Sequence, residues 1–175
     1  MKYYVFMLSV LLFGCQSHSI DRQATHNYLQ GIAKAKEMNK PIFLYFTCWG
    51  CVGNNELHED LITSKAIEVK LMNDFVFIEL YIDDRAVLTI KDTLGLSALG
   101  FSPAAAQKLQ KARNIGNVNA IIQADLFGSE NQPNYIITDA KGNTLEEPFG
   151  YTGRDKAYFL SKLEAGRKVF EQQKH

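Results

Sequence analysis

The chain carries no excess of charge of either sign: 19 basic and 19 acidic residues give a formal net charge of zero. A general nucleic-acid binder needs a basic face to neutralise phosphates, so nucleic acid is disfavoured as a partner. Long apolar runs are also missing. The one candidate, residues 5–13, is too short to cross a bilayer as a helix. No internal repeat or low-complexity tract stands out. There are three cysteines, Cys15, Cys48 and Cys51, and four histidines, His18, His26, His58 and His175. What remains, 46% hydrophobic and 22% charged residues over 175 positions, suits one globular domain with an ordinary core.

The N-terminus separates from that domain. Lys2 supplies a minimal positive region ahead of the apolar run, the pattern of a secretory signal over residues 1–14. The run ends in Leu12, Phe13, Gly14 and Cys15, which resembles the lipobox of bacterial lipoproteins, although Phe13 is bulkier than the residue usual there. That resemblance implies cleavage before Cys15, lipidation of its thiol and new amino group, and a membrane anchor in which each buried CH₂ contributes ~0.8 kcal/mol. The rival is an ordinary signal with a chance cysteine. Residues 15–23 then form the lipidated cysteine and a polar tether, and 24–175 the folded domain. Such a protein works on the periplasmic side of a bacterial membrane, where disulfides persist. With Cys15 carrying lipid, Cys48 and Cys51 are the two thiols left.

Along the domain, helical spacing of Tyr28, Leu29, Ile32, Ala35 and Met38 predicts a helix over residues 24–39, stopped at Lys40-Pro41. The apolar run 41–47 reads as a buried central strand. Val52, Leu57 and Leu61 share a helical face over 52–62, and a second helix is expected over 64–72 with Ser64 as its N-cap. Residues 75–83 form the next strand, with Asp83 and Asp84 as turn residues at its end. Residues 84–100 are ambiguous, Gly95 and Gly100 suggesting an irregular segment. Ser102-Pro103 starts a helix with cap and N1 proline in favoured places, and a short helix is expected over 117–127. Residues 134–149 read as a hairpin. The last helix, 154–172, turns Tyr158, Phe159, Leu163 and Val169 or Phe170 inward. This order predicts an α/β domain: a mixed sheet flanked by helices, with a helical insertion before the hairpin.

The chemistry concentrates in "YFTCWGCVGNNE", residues 45–56, where a CxxC follows directly from the strand. Such a pair is a redox dithiol, half a zinc site or a small structural disulfide. Zinc needs about four ligands, and beyond the two cysteines only the four histidines are strong ligands, with no partner motif. No metal is therefore expected. A disulfide across so short a loop removes little unfolded-state entropy, so stability alone is a weak reason for it. The sequence leaves the redox and structural readings open.

The segment 40–59, "KPIFLYFTCWGCVGNNELHE", resembles the active-site region of the thioredoxin-like C-terminal periplasmic domain of DsbD-type disulfide reductases. Downstream, "LFGSENQPNYIITDAKGNTLEEPFGYT" resembles that family's loop, proline and hairpin. The resemblance implies a thioredoxin-like fold, no cofactor, and a cis-proline at Pro133 with Gln132 offering backbone hydrogen bonds to an extended substrate segment. Trp49 is expected to cover the site and contact partners.

This chain departs from the pattern in three places. Counted from Phe46, the family's attacking position is Cys51, its resolving position is Asn54, and Cys48 stands where glycine is usual. Tyr45 takes the place where many relatives carry an acidic residue near the dithiol. A helix starting near residue 51 would favour a Cys51 thiolate, making Cys51 the nucleophile and Cys48 its resolving partner. A helix starting at Cys48 would reverse the roles, but would put Gly50 and Gly53 in its first turns at ~1 kcal/mol each. His58, two turns on, reads as a surface residue. The expected activity is reduction or isomerisation of disulfides in exported proteins, recharged by a separate membrane or soluble thiol reductant. The rival is a thioredoxin-fold binding lipoprotein whose displaced cysteines no longer turn over.

Overall fold

Residues 24–51, 53 and 58–174 are described by a computed structural model. The expected signal, Cys15, the tether, Val52, Asn54 and Leu57 lie outside the described residues, as does the side chain of His58. No helix among the described residues is long and apolar enough to cross a membrane.

The sheet is built on β1 (Ile42–Thr47), whose six side chains are all buried. A strand covered on both faces has no solvent side and so needs an unbroken apolar run rather than alternation. β2 (Val76–Tyr81) pairs parallel to β1, while β3 (Asn134–Thr138) pairs antiparallel to its other side. β4 (Thr144–Phe149) closes the hairpin, giving the order β2-β1-β3-β4. The sheet is therefore mixed.

Period-two alternation along β1 sorts the core into two layers. Phe43 and Tyr45 face a cluster with Leu61, Ile62, Ile67, Leu71, Phe159, Leu163 and Phe170, supplied by α2 (Lys65–Asp74), α6 (Lys156–Gln172) and a π-helical turn at His58–Ile62. Ile42, Leu44 and Phe46 face the second cluster, where Tyr28, Ile32 and Ala35 of α1 (Tyr28–Met38) meet Val118 and Ile122 of the insertion. That insertion holds α3 (Ile90–Thr93), a 3₁₀ turn at Leu96–Leu99, α4 (Pro103–Lys111) and α5 (Ile115–Phe127).

Several boundaries differ from expectation for identifiable reasons. The first helix starts at Tyr28, not 24, because Thr25 bridges to β2, donating to Phe77 O and accepting from Glu79 N. Asn27 caps it through Gln30 N, and Asn39 ends it in the left-handed conformation at φ 48° before the proline acts. Ser64 occupies the N-cap of α2, yet its hydroxyl makes no capping hydrogen bond. Ser102 does cap α4, accepting from Ala105 N at 3.2 Å. The ambiguous stretch forms α3 behind a Thr89/Asp92 capping box, and Gly95 and Gly100 take positive φ around the 3₁₀ turn. The expected short helix is the 13-residue α5, begun by Asn114. Met38 and Tyr158, placed inward by spacing, are each 43% exposed, since each sits at the margin of its helix's apolar stripe.

Candidate active site

β1 delivers Cys48 at its C-terminal end, and residues 48–51 fold into a turn closed by Cys51 N–H donating to Cys48 O at 3.2 Å. Cys48 and Cys51 form a disulfide with Cα atoms 5.2 Å apart, within the ordinary range for such a bond. Residues 48–51 are not helical, and the first described helical residue after the pair is Gly53. The two cysteines are unequally placed: Cys48 is buried at 5% exposure, while Cys51 is half-buried.

The β1–β3 register pairs Phe46 with Asn134, so the next position outward sets Thr47 opposite Pro133, one residue from Cys48. The Gln132–Pro133 peptide is cis, as the resemblance implies. Trp49 is 62% exposed, and one face of its indole stacks on Tyr81 with centroids 3.8 Å apart and planes 9° apart. One face of the only tryptophan is thus held by the fold.

Four contributors escaped the sequence reading. Asp83, expected as a turn residue, accepts from Trp49 N–H at 2.8 Å and Gly50 N–H at 3.0 Å. The other three are Asn119, Gln123 and Glu79. Asn119 and Gln123, one turn apart on the buried face of α5, hold the two walls of the site. Asn119 Nδ2 donates to Tyr81 O at 2.9 Å. Gln123 Nε2 donates to Asn131 O at 2.7 Å, and its Oε1 accepts from Gln132 Nε2 at 2.8 Å. Polar residues at i, i+4 within an apolar helix are a readable signal; their partners are not. Gly116 lets α5 come this close, since a Cβ there would lie 2.6 Å from both Ile82 O and Asp84 N. Replacing Gln123 with leucine strands the Asn131 carbonyl and the Gln132 amide. A loss of about 1–3 kcal/mol in urea unfolding is expected, with faster hydrogen exchange concentrated at residues 131–134. Exchange unchanged there would show that Gln123 does not hold the loop.

The strand position at Tyr45 offers no carboxylate, but the neighbouring strand does. Glu79 is the register partner of Tyr45 and is 3% exposed. It lies on the sheet face that Tyr45 and Tyr135 share, their rings stacked with centroids 5.0 Å apart. Burial first, and the Glu79 charge among lesser causes, pushes Tyr45 up to about 12. Burial likewise drives Tyr135 well above 10. The sheet face of Tyr45 and Tyr135 therefore carries a buried carboxylate, on β2 rather than β1. Beside it stands His26, whose side chain is 56% exposed and whose Nδ1 lies 3.2 Å from Glu79 O and 3.7 Å from Glu79 Oε2.

These tyrosines impose a pH dependence. Tyr28 is also raised to about 12, by burial and then by Asp139. Between pH 10 and 12 the unfolded chain releases tyrosine protons that the folded chain retains, so stability falls as pH rises through that window. The slope is at most about 1.4 kcal/mol per pH unit for each such group. Urea midpoints should hold steady below about pH 9.5 and then fall, and Tyr45→Phe should flatten the fall. Equal slopes in Tyr45→Phe and the wild type would contradict the assignment.

No protein-family model matches the chain, and no curated protein matches it. Among solved structures it is similar to the DsbH oxidoreductase, at 18% identity over 83% of this chain and 88% of that one, with a TM-score of 0.55. A thioredoxin from Thermus thermophilus aligns at 13% identity over 79% and 82% of the two chains, with a TM-score of 0.45. A disulphide isomerase from Xylella fastidiosa Temecula1 aligns at 12% identity over 95% and 98%, with a TM-score of 0.39. The mixed four-stranded sheet, the flanking helices and the likeness to the DsbH structure establish that the chain has the thioredoxin fold, with its Cys48–Cys51 disulfide at the end of the central strand.

Proposed function

We propose that this protein is a thiol–disulfide oxidoreductase acting on disulfides of exported proteins as a reductase or isomerase, anchored to the periplasmic face of a bacterial membrane through lipid on Cys15. One observation carries the reading. A disulfide closed within a four-residue turn lies beside a cis-proline loop on a thioredoxin fold, with Cys51 the less buried of the two cysteines. The anchor and location rest on the signal and lipobox-like residues 1–15.

The reduced Cys51 thiolate attacks a target disulfide, forming a Cys51–target bond and expelling one target thiolate. Cys48 then attacks the Cys51 sulfur, closing Cys48–Cys51 and releasing the second target thiol. Two electrons pass to the target, and a separate dithiol reductant restores them. The closing step needs a base for the Cys48 proton. Glu79, buried on β2 opposite Tyr45, itself three residues before Cys48, is the proposed acceptor of that proton. Trp49 and the backbone at Gln132 receive the target segment, as strand addition beside a cis-proline requires.

The reading is tested by mixing the reduced protein with a disulfide-bonded reporter protein and following both partners by mass. Transfer of two electrons per molecule, leaving oxidised Cys48–Cys51, is expected. A reporter left intact while the protein still binds it would instead make the chain a binding module.

A further inference from the structure

We propose that Asp83 sets the reactivity of the Cys48–Cys51 pair by occupying the two backbone N–H groups that lie between the cysteines. Its Oδ1 takes Trp49 N–H at 2.8 Å and its Oδ2 takes Gly50 N–H at 3.0 Å. The proposal rests on the reading of this pair as an exchanging dithiol, and names what tunes it.

The carboxylate is aimed rather than incidental. The segment carrying it is tied down on both sides of Asp83. Ile82 N–H donates to Thr47 O at 2.9 Å, Tyr81 O accepts from Asn119, and Asp84 O accepts from Gly116 N–H at 2.9 Å. Two residues on, Ala86 O accepts from Ile115 N–H at 2.9 Å. Its neighbour Asp84 turns the other way and caps Ala86 N–H at 2.8 Å. The two adjacent carboxylates therefore have separate tasks, and only Asp83 reaches the turn.

Two effects follow from that placement. Backbone N–H groups beside a cysteine ordinarily stabilise its thiolate. Here two of them already serve a carboxylate and are withheld from sulfur. The same carboxylate also places a negative charge one peptide from each cysteine. The disulfide carries no charge and is indifferent to it, whereas a thiolate is repelled. Asp83 thus orders the oxidised turn and lowers the thiolate fraction of the reduced one.

Among the described residues, the other titratable groups around the turn are Tyr45 on β1, Glu79 and Tyr81 on β2, His26 before α1, and Asp84 and Arg85 beyond Asp83. Where α5 meets this segment, residues 115–119 bring none. All of these are retained in Asp83→Asn, which keeps one acceptor oxygen but drops the charge. Asp84→Asn makes the same change in net charge away from the turn.

The experiment is the pH profile of iodoacetamide alkylation on phosphine-reduced protein, in which sulfur forms the S–C bond and iodide leaves. It requires no turnover, so it reads Asp83 even if exchange with targets fails; that failure is read separately, from glutathione titration of the wild type. In Asp83→Asn the profile is expected to move to lower pH, with alkylation at pH 7 about 3- to 10-fold faster. Asp84→Asn should superimpose on the wild type. Asp83→Ser, which keeps a hydroxyl acceptor without charge, should follow Asp83→Asn and serves where that variant folds poorly. Superimposed profiles for Asp83→Asn, Asp83→Ser and Asp84→Asn would overturn the proposal.

Discussion

Replacing Cys51 with serine abolishes disulfide exchange, with the second-order rate falling about a thousandfold or more, because a serine hydroxyl does not ionise at neutral pH as a thiol does. Replacing Cys48 with serine has a different outcome. Attack still occurs at Cys51, but nothing resolves the product, so a covalent Cys51–target adduct accumulates. The asymmetry comes from the turn: Cys48 is 5% exposed at the end of a buried strand, and Cys51 is the less buried of the two residues. Intact mass after mixing each reduced variant with oxidised glutathione separates the cases. The account predicts a stable adduct of one glutathione in Cys48→Ser and none in Cys51→Ser. An adduct on Cys48 in Cys51→Ser, with none in Cys48→Ser, would reverse the roles. Full turnover by Cys48→Ser would mean that Cys51 works alone.

Glutamine at position 79 slows exchange at pH 7 by roughly ten- to a hundredfold, the scale of a lost general base, while leaving the fold in place. Glutamine keeps the shape and one oxygen of Glu79 but removes its charge, and a buried carboxylate is itself costly to desolvate. A stability change within about 1 kcal/mol is therefore expected. The combination is the signature: slower closing of the Cys48–Cys51 bond at nearly constant stability. Rapid-quench alkylation resolves the two steps, and the account places the loss in the second, so mixed disulfide should build up transiently. A variant that exchanges at the wild-type rate would remove Glu79 from the mechanism. One that merely unfolds would give it a structural role.

How much of this was legible beforehand depends on whether a residue acts alone or through a partner. The unbroken apolar run of β1, the Ser102-Pro103 helix start and the hairpin are local signals, and each appears where expected. The cis peptide at Pro133 was legible only through the resemblance, since nothing local demands it. Glu79 was invisible for a physical reason: a carboxylate inside a strand reads as solvent-facing unless its cross-strand neighbour is known. Tyr45, three residues before Cys48, marked a missing carboxylate, but register alone shows that Glu79 stands opposite it. Asp83 stands in a turn after β2, as expected, but its partners were not legible. A strand-ending aspartate is usually a turn residue, and its two acceptors meet donors 33 and 34 residues away. The insertion was the least legible part because its helices are short and interrupted by glycine. Yet α5 carries Asn119 and Gln123, which hold both walls of the site.

The most direct test of the central claim is a redox titration of residues 16–175 in glutathione buffers, read by mass-tagged alkylation of Cys48 and Cys51. The account predicts one two-electron transition in which both thiols change together, at a potential above about −300 mV, where labile and catalytic pairs lie rather than structural ones. A pair that stays oxidised well below that potential, or one that never forms a disulfide, would contradict it.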